Sequence, residues 1–191
     1  MPIGVLALQG DFREHLNTLA SLGVEPIEVR TVYDFEKVTG LIIPGGESTT
    51  IQKLATNFGL FEPIRLAIRA GLPTFGTCAG LILLADEILD GISGQAGFGG
   101  LDVSVRRNAF GNQLESFETQ LTFEGISGSK VDAAFIRAPI VERVGKDIQV
   151  LSELNDGRVV AVRNETILGI SFHPEISGEK RVHEYFLGMI G

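Results

Sequence analysis

Hydrophobic and polar positions change their rhythm along the chain. Residues 3–8 form a short apolar run that Gln9 and Gly10 close. Asp11 can cap a helix in which Phe12, Leu16, Leu19 and Ala20 recur at helical spacing, and Gly23 stops it. Short extended runs follow at 26–29, 40–43 and 73–76, the second broken by Pro44-Gly45-Gly46. Between them the spacing predicts helices starting at Ser48 or Thr49, over 62–70, and over 79–85. Strands alternating with helices imply a parallel sheet covered on both faces. After Asp86 the pattern changes. Residues 91–100 hold five glycines and read as a loop. Strand signals then dominate, at 103–105, 119–123, 134–136, 150–153, 159–162 and 167–172, with Asn155-Asp156-Gly157 as a hairpin turn. A last helix begins near 178 and carries Val182, Phe186, Met189 and Ile190 on one face. The expected architecture is α/β, a mostly parallel central sheet with added antiparallel strands.

Composition narrows the function classes. The 191 residues fit one domain spanning 1–191. With 44% hydrophobic and 21% charged residues, the chain can bury a real core. One cysteine excludes an intrachain disulfide framework and a multi-cysteine zinc site. The net charge of −8 argues against nucleic acid and for a small molecule or a protein as partner. The first residues show no basic leader, and apolar runs such as 81–85 are far too short to span a bilayer. A cytoplasmic protein, with no membrane partner, is expected.

The single cysteine sits where it can react. Gly76-Thr77-Cys78-Ala79-Gly80 joins a strand to a helix, the arrangement of a nucleophile elbow with cysteine in place of serine. The two glycines permit the sharp turn, and the helix N-terminus favours the thiolate. It also aims the Ala79 N–H at an oxyanion formed nearby. A lone cysteine is more often a small buried hydrophobe; the flanking glycines reverse that reading. His173 ends a late apolar run, and Glu175 lies two residues on, where a carboxylate can set the imidazole tautomer. His15 and His183 lie in expected helices and are weaker candidates for a base. The Gly45-Gly46-Glu47-Ser48 turn lacks a phosphate-loop pattern and suits an oxyanion-binding loop. Arg107, in a local basic patch, and Arg137, directly after the apolar strand that ends at Ile136, are suited to hold a substrate carboxylate.

These residues together resemble the class I, triad-type glutamine amidotransferases. The segments Gln9-Gly10-Asp11-Phe12-Arg13-Glu14-His15, Gly45 to Thr50, Arg107-Asn108-Ala109-Phe110-Gly111, Ser116-Phe117-Glu118 and Phe135 to Pro139 resemble the glutaminase subunits of pyridoxal 5′-phosphate synthases. The resemblance runs from residue 3 to about 190. It implies a flavodoxin-like three-layer sandwich and hydrolysis of L-glutamine to glutamate and ammonia. Cys78, His173 and Glu175 would be the triad. Gly46, Glu47, Ser48, Arg107, Ile136 and Arg137 would form the glutamine pocket, and backbone N–H groups of Gly46 and Ala79 the oxyanion hole. No metal or cofactor is implied. Ammonia would pass to a (β/α)₈-barrel synthase subunit, contacted through Gln9, Gly10, Arg13 and His15. Docking of that partner is expected to order the Gly45-Gly46 loop. Three other readings stay open: a glutaminase subunit of another amidotransferase, a cysteine-elbow hydrolase or stress protein, and a binding module with an inert cysteine. Ala79 counts against the second, where histidine often follows the cysteine.

Overall fold

The computed structural model describes residues 1–109 and 116–191, so Phe110 and Gly111 of the basic segment lie outside the described residues. The first half reads β1 (Ile3–Leu6), α1 (Phe12–Ser21), β2 (Ile27–Val29), α2 (Val32–Phe35), β3 (Gly40–Ile43), α3 (Ser48–Asn57), α4 (Phe61–Arg69), β4 (Thr74–Thr77) and α5 (Ala79–Leu84). The second half adds β5 (Ala85–Ile88), β6 (Leu101–Arg106), β7 (Ser116–Leu121), β8 (Val131–Ile136), β9 (Ile140–Val144), β10 (Gln149–Glu153), β11 (Val159–Arg163) and β12 (Ile167–Ile170). Two helices close the chain, α6 (Pro174–Ser177) and α7 (Arg181–Ile190).

One sheet runs β2-β1-β3-β4-β12-β11-β9-β6-β5, with β10 also paired to β11. Its first five strands are mutually parallel. The pairings β12–β11, β11–β9 and β9–β6 are antiparallel. Successive residues of the parallel strands face opposite cores. Leu6, Leu41 and Ile43 join α3, α4 and α5 on one face, while Ile3, Val5 and Ile42 meet Leu19 of α1 and Val182 and Phe186 of α7 on the other. Both faces are therefore apolar, which explains why these strands read as unbroken hydrophobic runs. The result is the three-layer α/β sandwich that the resemblance implied. The β7–β8 hairpin forms a separate two-stranded sheet in the second core, with the Phe117 and Phe135 rings stacked at 4.7 Å.

Several boundaries differ from the expectation. The helix expected over 79–85 stops at Leu84, because Ala85 turns extended and pairs with Leu101. β9 was missed since only its first two residues are buried; Glu142 in it pairs with Arg106 of β6. The last strand, expected over 167–172, ends at Ile170. Pro174, four residues on, stands at the first position of α6, where its missing N–H costs nothing. Gly178, at φ +74°, ends that helix, so the last helix starts at Arg181 and not near 178. Asn155-Asp156-Gly157 does turn β10 into β11, with the Gly157 N–H donating to the Leu154 carbonyl at 2.9 Å.

Candidate active site

Four loops leave the carboxyl ends of parallel strands at one edge of the sheet: Gln9–Asp11 after β1, Pro44–Glu47 after β3, Cys78 after β4 and Ser171–His173 after β12. Ligands of open α/β sheets bind at such an edge. Backbone hydrogen bonds tie the loops to their neighbours. Asp11 N–H donates to Gly45 O at 3.1 Å, Cys78 N–H to Ile170 O at 2.9 Å and His173 N–H to Ala134 O at 2.8 Å.

Cys78 has φ +50° and ψ −101°, a strained position held between β4 and α5. Its neighbours explain how the turn fits. A Cβ on Gly76 would lie 2.6 Å from the Gly80 carbonyl carbon, and one on Gly80 would lie 2.1 Å from the Ile43 carbonyl oxygen. The helix therefore sits directly on β3 and β4 and aims its N-terminus past the thiol. Asn108 and Arg137 are the other non-glycine residues at positive φ among those described, and both line the same cleft as Cys78. Strain of ~1–3 kcal/mol per residue is thus gathered at one place.

The cleft encloses about 470 Å³. Cys78, Gly46, Glu47, Ser48, Arg107, Ile136, Arg137 and His173 all line it, joined by Gln9, Asp11 and Asn108. A larger hollow of about 790 Å³ lies toward the opposite end of β12, beside Arg69, Arg163 and Thr166, and among the described residues neither a cysteine nor a histidine lines it.

His173 is nearly fully buried, and its Nδ1 lies 2.8 Å from Glu175 Oε1. Burial opposes charge on the ring, yet the hydrogen bonds and charges of Cys78 and Glu175 outweigh it and raise its pKa to about 10. Burial likewise opposes ionisation of Glu175, but the His15 and His173 rings hold its carboxyl well below the usual carboxylate range. With Nδ1 engaged by Glu175, His173 keeps Nε2 for proton transfer. Asp11 Oδ2 stands 3.4 Å from the same Nδ1, and burial raises its pKa. Asp11, His173 and Glu175 bring one donor atom each within 4.8 Å of one another. A cation there would have to displace the His173–Glu175 hydrogen bond.

Glu47 caps α3. Its carboxylate accepts from the N–H groups of Thr49 and Thr50 at 3.2 and 2.8 Å, and from both hydroxyls. Those bonds overcome a burial penalty and bring its pKa down to about 2. Its own N–H donates to Gln9 Oε1 at 2.8 Å, so Gln9 braces the loop after β3. Arg107 reaches Glu47 Oε1 at 3.3 Å and Gln95 Oε1 at 2.9 Å, and Gln95 Nε2 donates to Ser48 Oγ at 3.0 Å.

Gln95 was missed from the sequence. It is the long polar side chain in the glycine-rich 91–100 loop, and it bridges two pocket residues. Gly10 packs against Gly45, where a Cβ would meet the Gly45 oxygen at 1.8 Å, and Arg13 is exposed. His15 corrects an expectation. Its side chain is fully buried, 3.1 Å from Thr77 Oγ1 and 2.9 Å from His183 Nε2, and presents no surface to a partner.

Known proteins resemble this chain over nearly its whole length. The PdxT subunit of pyridoxal 5′-phosphate synthase from Leifsonia xyli subsp. xyli is 60% identical over 185 residues, covering 97% of this chain and 93% of that protein. The PdxT subunit from Dehalococcoides mccartyi strain BAV1 is 54% identical over 189 residues, covering 99% and 97%. A crystal structure of a glutamine amidotransferase superposes with a TM-score of 0.92 at 48% identity, covering 99% of this chain and 98% of that one. The family model of the SNO glutamine amidotransferases matches residues 5–191, and the chain belongs to that family.

Proposed function

We propose that the chain is one glutamine amidotransferase domain, acting as the glutaminase subunit of a pyridoxal 5′-phosphate synthase. The observation that carries this reading is the buried hydrogen-bonded pair His173–Glu175 facing the strained Cys78 across a cleft lined by Glu47 and Arg107. Glutamine enters with its α-carboxylate toward Arg107 and Arg137 and its amide toward Cys78. Gly46, Ser48 and Ile136 complete the wall. The Cys78 sulfur attacks the amide carbon, and the C=O electron pair moves onto oxygen. N–H groups of Gly46 and Ala79 stabilise that oxyanion; one such donor is worth ~2.7–4 kcal/mol in activation free energy. His173 passes its proton to the departing ammonia and a thioester remains. His173 then takes a proton from water, hydroxide adds to the thioester, and glutamate leaves as the thiol is restored. Glu175 holds the imidazole in the required tautomer.

Ammonia so released would be wasted in bulk water, which favours a synthase subunit, a (β/α)₈ barrel, as its receiver. The names of the PdxT relatives support that partner. Gln9, Gly10 and Arg13 stand at the rim where it would dock. The bonds from Asp11 to Gly45 and from Glu47 to Gln9 hold the oxyanion loop. Docking is the event that sets the peptide between Gly45 and Gly46 in its catalytic orientation. Among the described residues no helix is long and apolar enough to cross a membrane. A cytoplasmic site of action is part of the same proposal.

Glutamate and ammonia release should be measured on the chain with and without the synthase subunit. Cys78→Ala should abolish both products while leaving the fold intact. Retained hydrolysis in that variant would sink the triad, and equal rates with and without the partner would sink the gating step.

A further inference from the structure

Behind the triad lies a second buried polar cluster that the mechanism above does not use. His15 from α1, Thr77 from β4 and His183 from α7 are all fully buried. Glu175 from α6 lies against them. Its Oε1 is 2.8 Å from His173 Nδ1 and 3.4 Å from His15 Nε2, whereas its Oε2 has no hydrogen-bond partner among the described residues. One carboxylate oxygen is thus approached by two imidazoles, one from the cleft and one from the core.

The protons in this cluster can be assigned from the contacts. His15 Nδ1 and His183 Nε2 are 2.9 Å apart, so one donates and the other accepts. Among the described residues His183 Nδ1 lacks a partner whichever way that proton points. The choice therefore falls to the other end of His15. Were His15 Nε2 to carry no proton, its lone pair would face the Glu175 carboxylate in a dry interior, a repulsive contact. With the proton on Nε2, the ring donates toward Thr77 Oγ1 and Glu175 Oε1 together, and His183 supplies the N–H that His15 Nδ1 accepts. Burial supports neutral His183, whose pKa it pushes down to about 3. Phe75, edge-on to both rings, excludes water from that side.

We propose that His15 is a positioning residue for the glutaminase reaction: its Nε2–H, backed by His183 and shared with Thr77, pins Glu175 Oε1 toward His173 Nδ1. Without it the carboxylate is held by one hydrogen bond and is free to turn its unpartnered oxygen toward the ring. This rests on the glutaminase reading above but names a residue that never touches substrate.

The test exploits amide geometry. The side-chain nitrogen of glutamine can stand where His15 Nε2 stands; that of asparagine reaches only the Nδ1 position; leucine offers neither. His15→Gln, His15→Asn and His15→Leu are assayed as full chains with the synthase subunit. At metal sites, loss of the hydrogen-bond partner that orients a ligand side chain costs ~10–100-fold, and a loss of that order is taken here. We expect that loss in kcat for Asn and Leu, with KM for glutamine changed less than about threefold, and near-parental kcat for Gln. Proton NMR of the isolated chain supplies an activity-free readout. The downfield His173 Nδ1–H resonance should persist in His15→Gln and vanish or shift in the other two. Should Leu fail to fold, the Asn–Gln contrast still decides. Equal kcat and equal spectra for Asn and Gln overturn the proposal, as does failure of all three variants to fold, which marks His15 as packing alone. A parental complex that releases no glutamate defeats the glutaminase reading instead, and the NMR contrast then tests the His15–Glu175 contact by itself.

Discussion

Gly80→Ala adds one methyl group where α5 meets β3. Its Cβ would lie 2.1 Å from the Ile43 carbonyl oxygen and 3.0 Å from the carbonyl carbon. Both are backbone atoms, so no side chain can swing aside. Ordinary contact begins near 3.4 Å. To reach it, α5 must retreat from the sheet by roughly 1 Å, and overpacking of this kind costs ~1–3 kcal/mol. Cys78 stands two residues upstream and moves with the helix. A displacement of about 1 Å at a reacting group costs on the order of 10²-fold in rate. Gly188 in α7 is the matched control, since a Cβ there meets nothing within 4 Å. Gly188→Ala should stabilise by up to ~1 kcal/mol through helix propensity and leave turnover unchanged. Urea unfolding followed by circular dichroism, with glutamate release measured in the complex, reads both effects. The two alanines should move stability in opposite directions, with the rate loss confined to Gly80→Ala. A Gly80→Ala protein that matched its parent in midpoint and turnover would refute the idea that the approach of α5 to β3 sets the elbow.

Three further outcomes follow from the pocket. Gln95→Ala frees Ser48 and Arg107, so KM for glutamine should rise by about tenfold, one good hydrogen bond's worth, with kcat little changed; an unaltered KM would remove Gln95 from the site. Glu47→Gln weakens the α3 cap. Because the folded pKa is depressed from 4.5 to about 2, the stabilisation is present above the unfolded value and lost as pH falls through the folded one. The variant should therefore unfold more easily than its parent at pH 7, by about 1 kcal/mol, with the gap narrowing toward pH 2 in urea titrations; a gap independent of pH would contradict this. Arg137→Gly relieves a left-handed backbone at φ +42°. It should gain up to ~1 kcal/mol of stability while losing affinity for glutamine, and a loss of both, seen in thermal unfolding and steady-state kinetics, would show that the strain is absent.

Much of this molecule was legible because its parallel strands are buried on both faces and therefore read as plain apolar runs. The Cys78 elbow was legible for a different reason: Gly76 and Gly80 mark a close approach that no other residue type allows. What escaped was set by tertiary contact. The sequence of β5, with Asp86 and Glu87, favours no strand, and only pairing with β6 makes it one. His15 is expected from the resemblance to contact the partner, although it lies three residues after Phe12 and four before Leu19, on the apolar stripe of α1. His183 stands three residues before Phe186 in the same way. Helical spacing thus carried the signal that both rings face inward. What they meet there depends on how α1 and α7 pack, which no local pattern encodes. Gln95 had no periodic context at all; only the folding back of the 91–100 loop brings it to Ser48.

The hydrogen bonds that stitch the site loops have a consequence for how the site opens. The amide protons of Asp11, Cys78 and His173 are each held by a carbonyl from a different segment of the chain. Exposing any of them to solvent requires two segments to part, so fraying of a single loop is not enough. In hydrogen–deuterium exchange the three should behave as members of one cooperative unit, sharing an opening free energy close to that of the central sheet. If they do, the nucleophile and its base are lost together as the site opens.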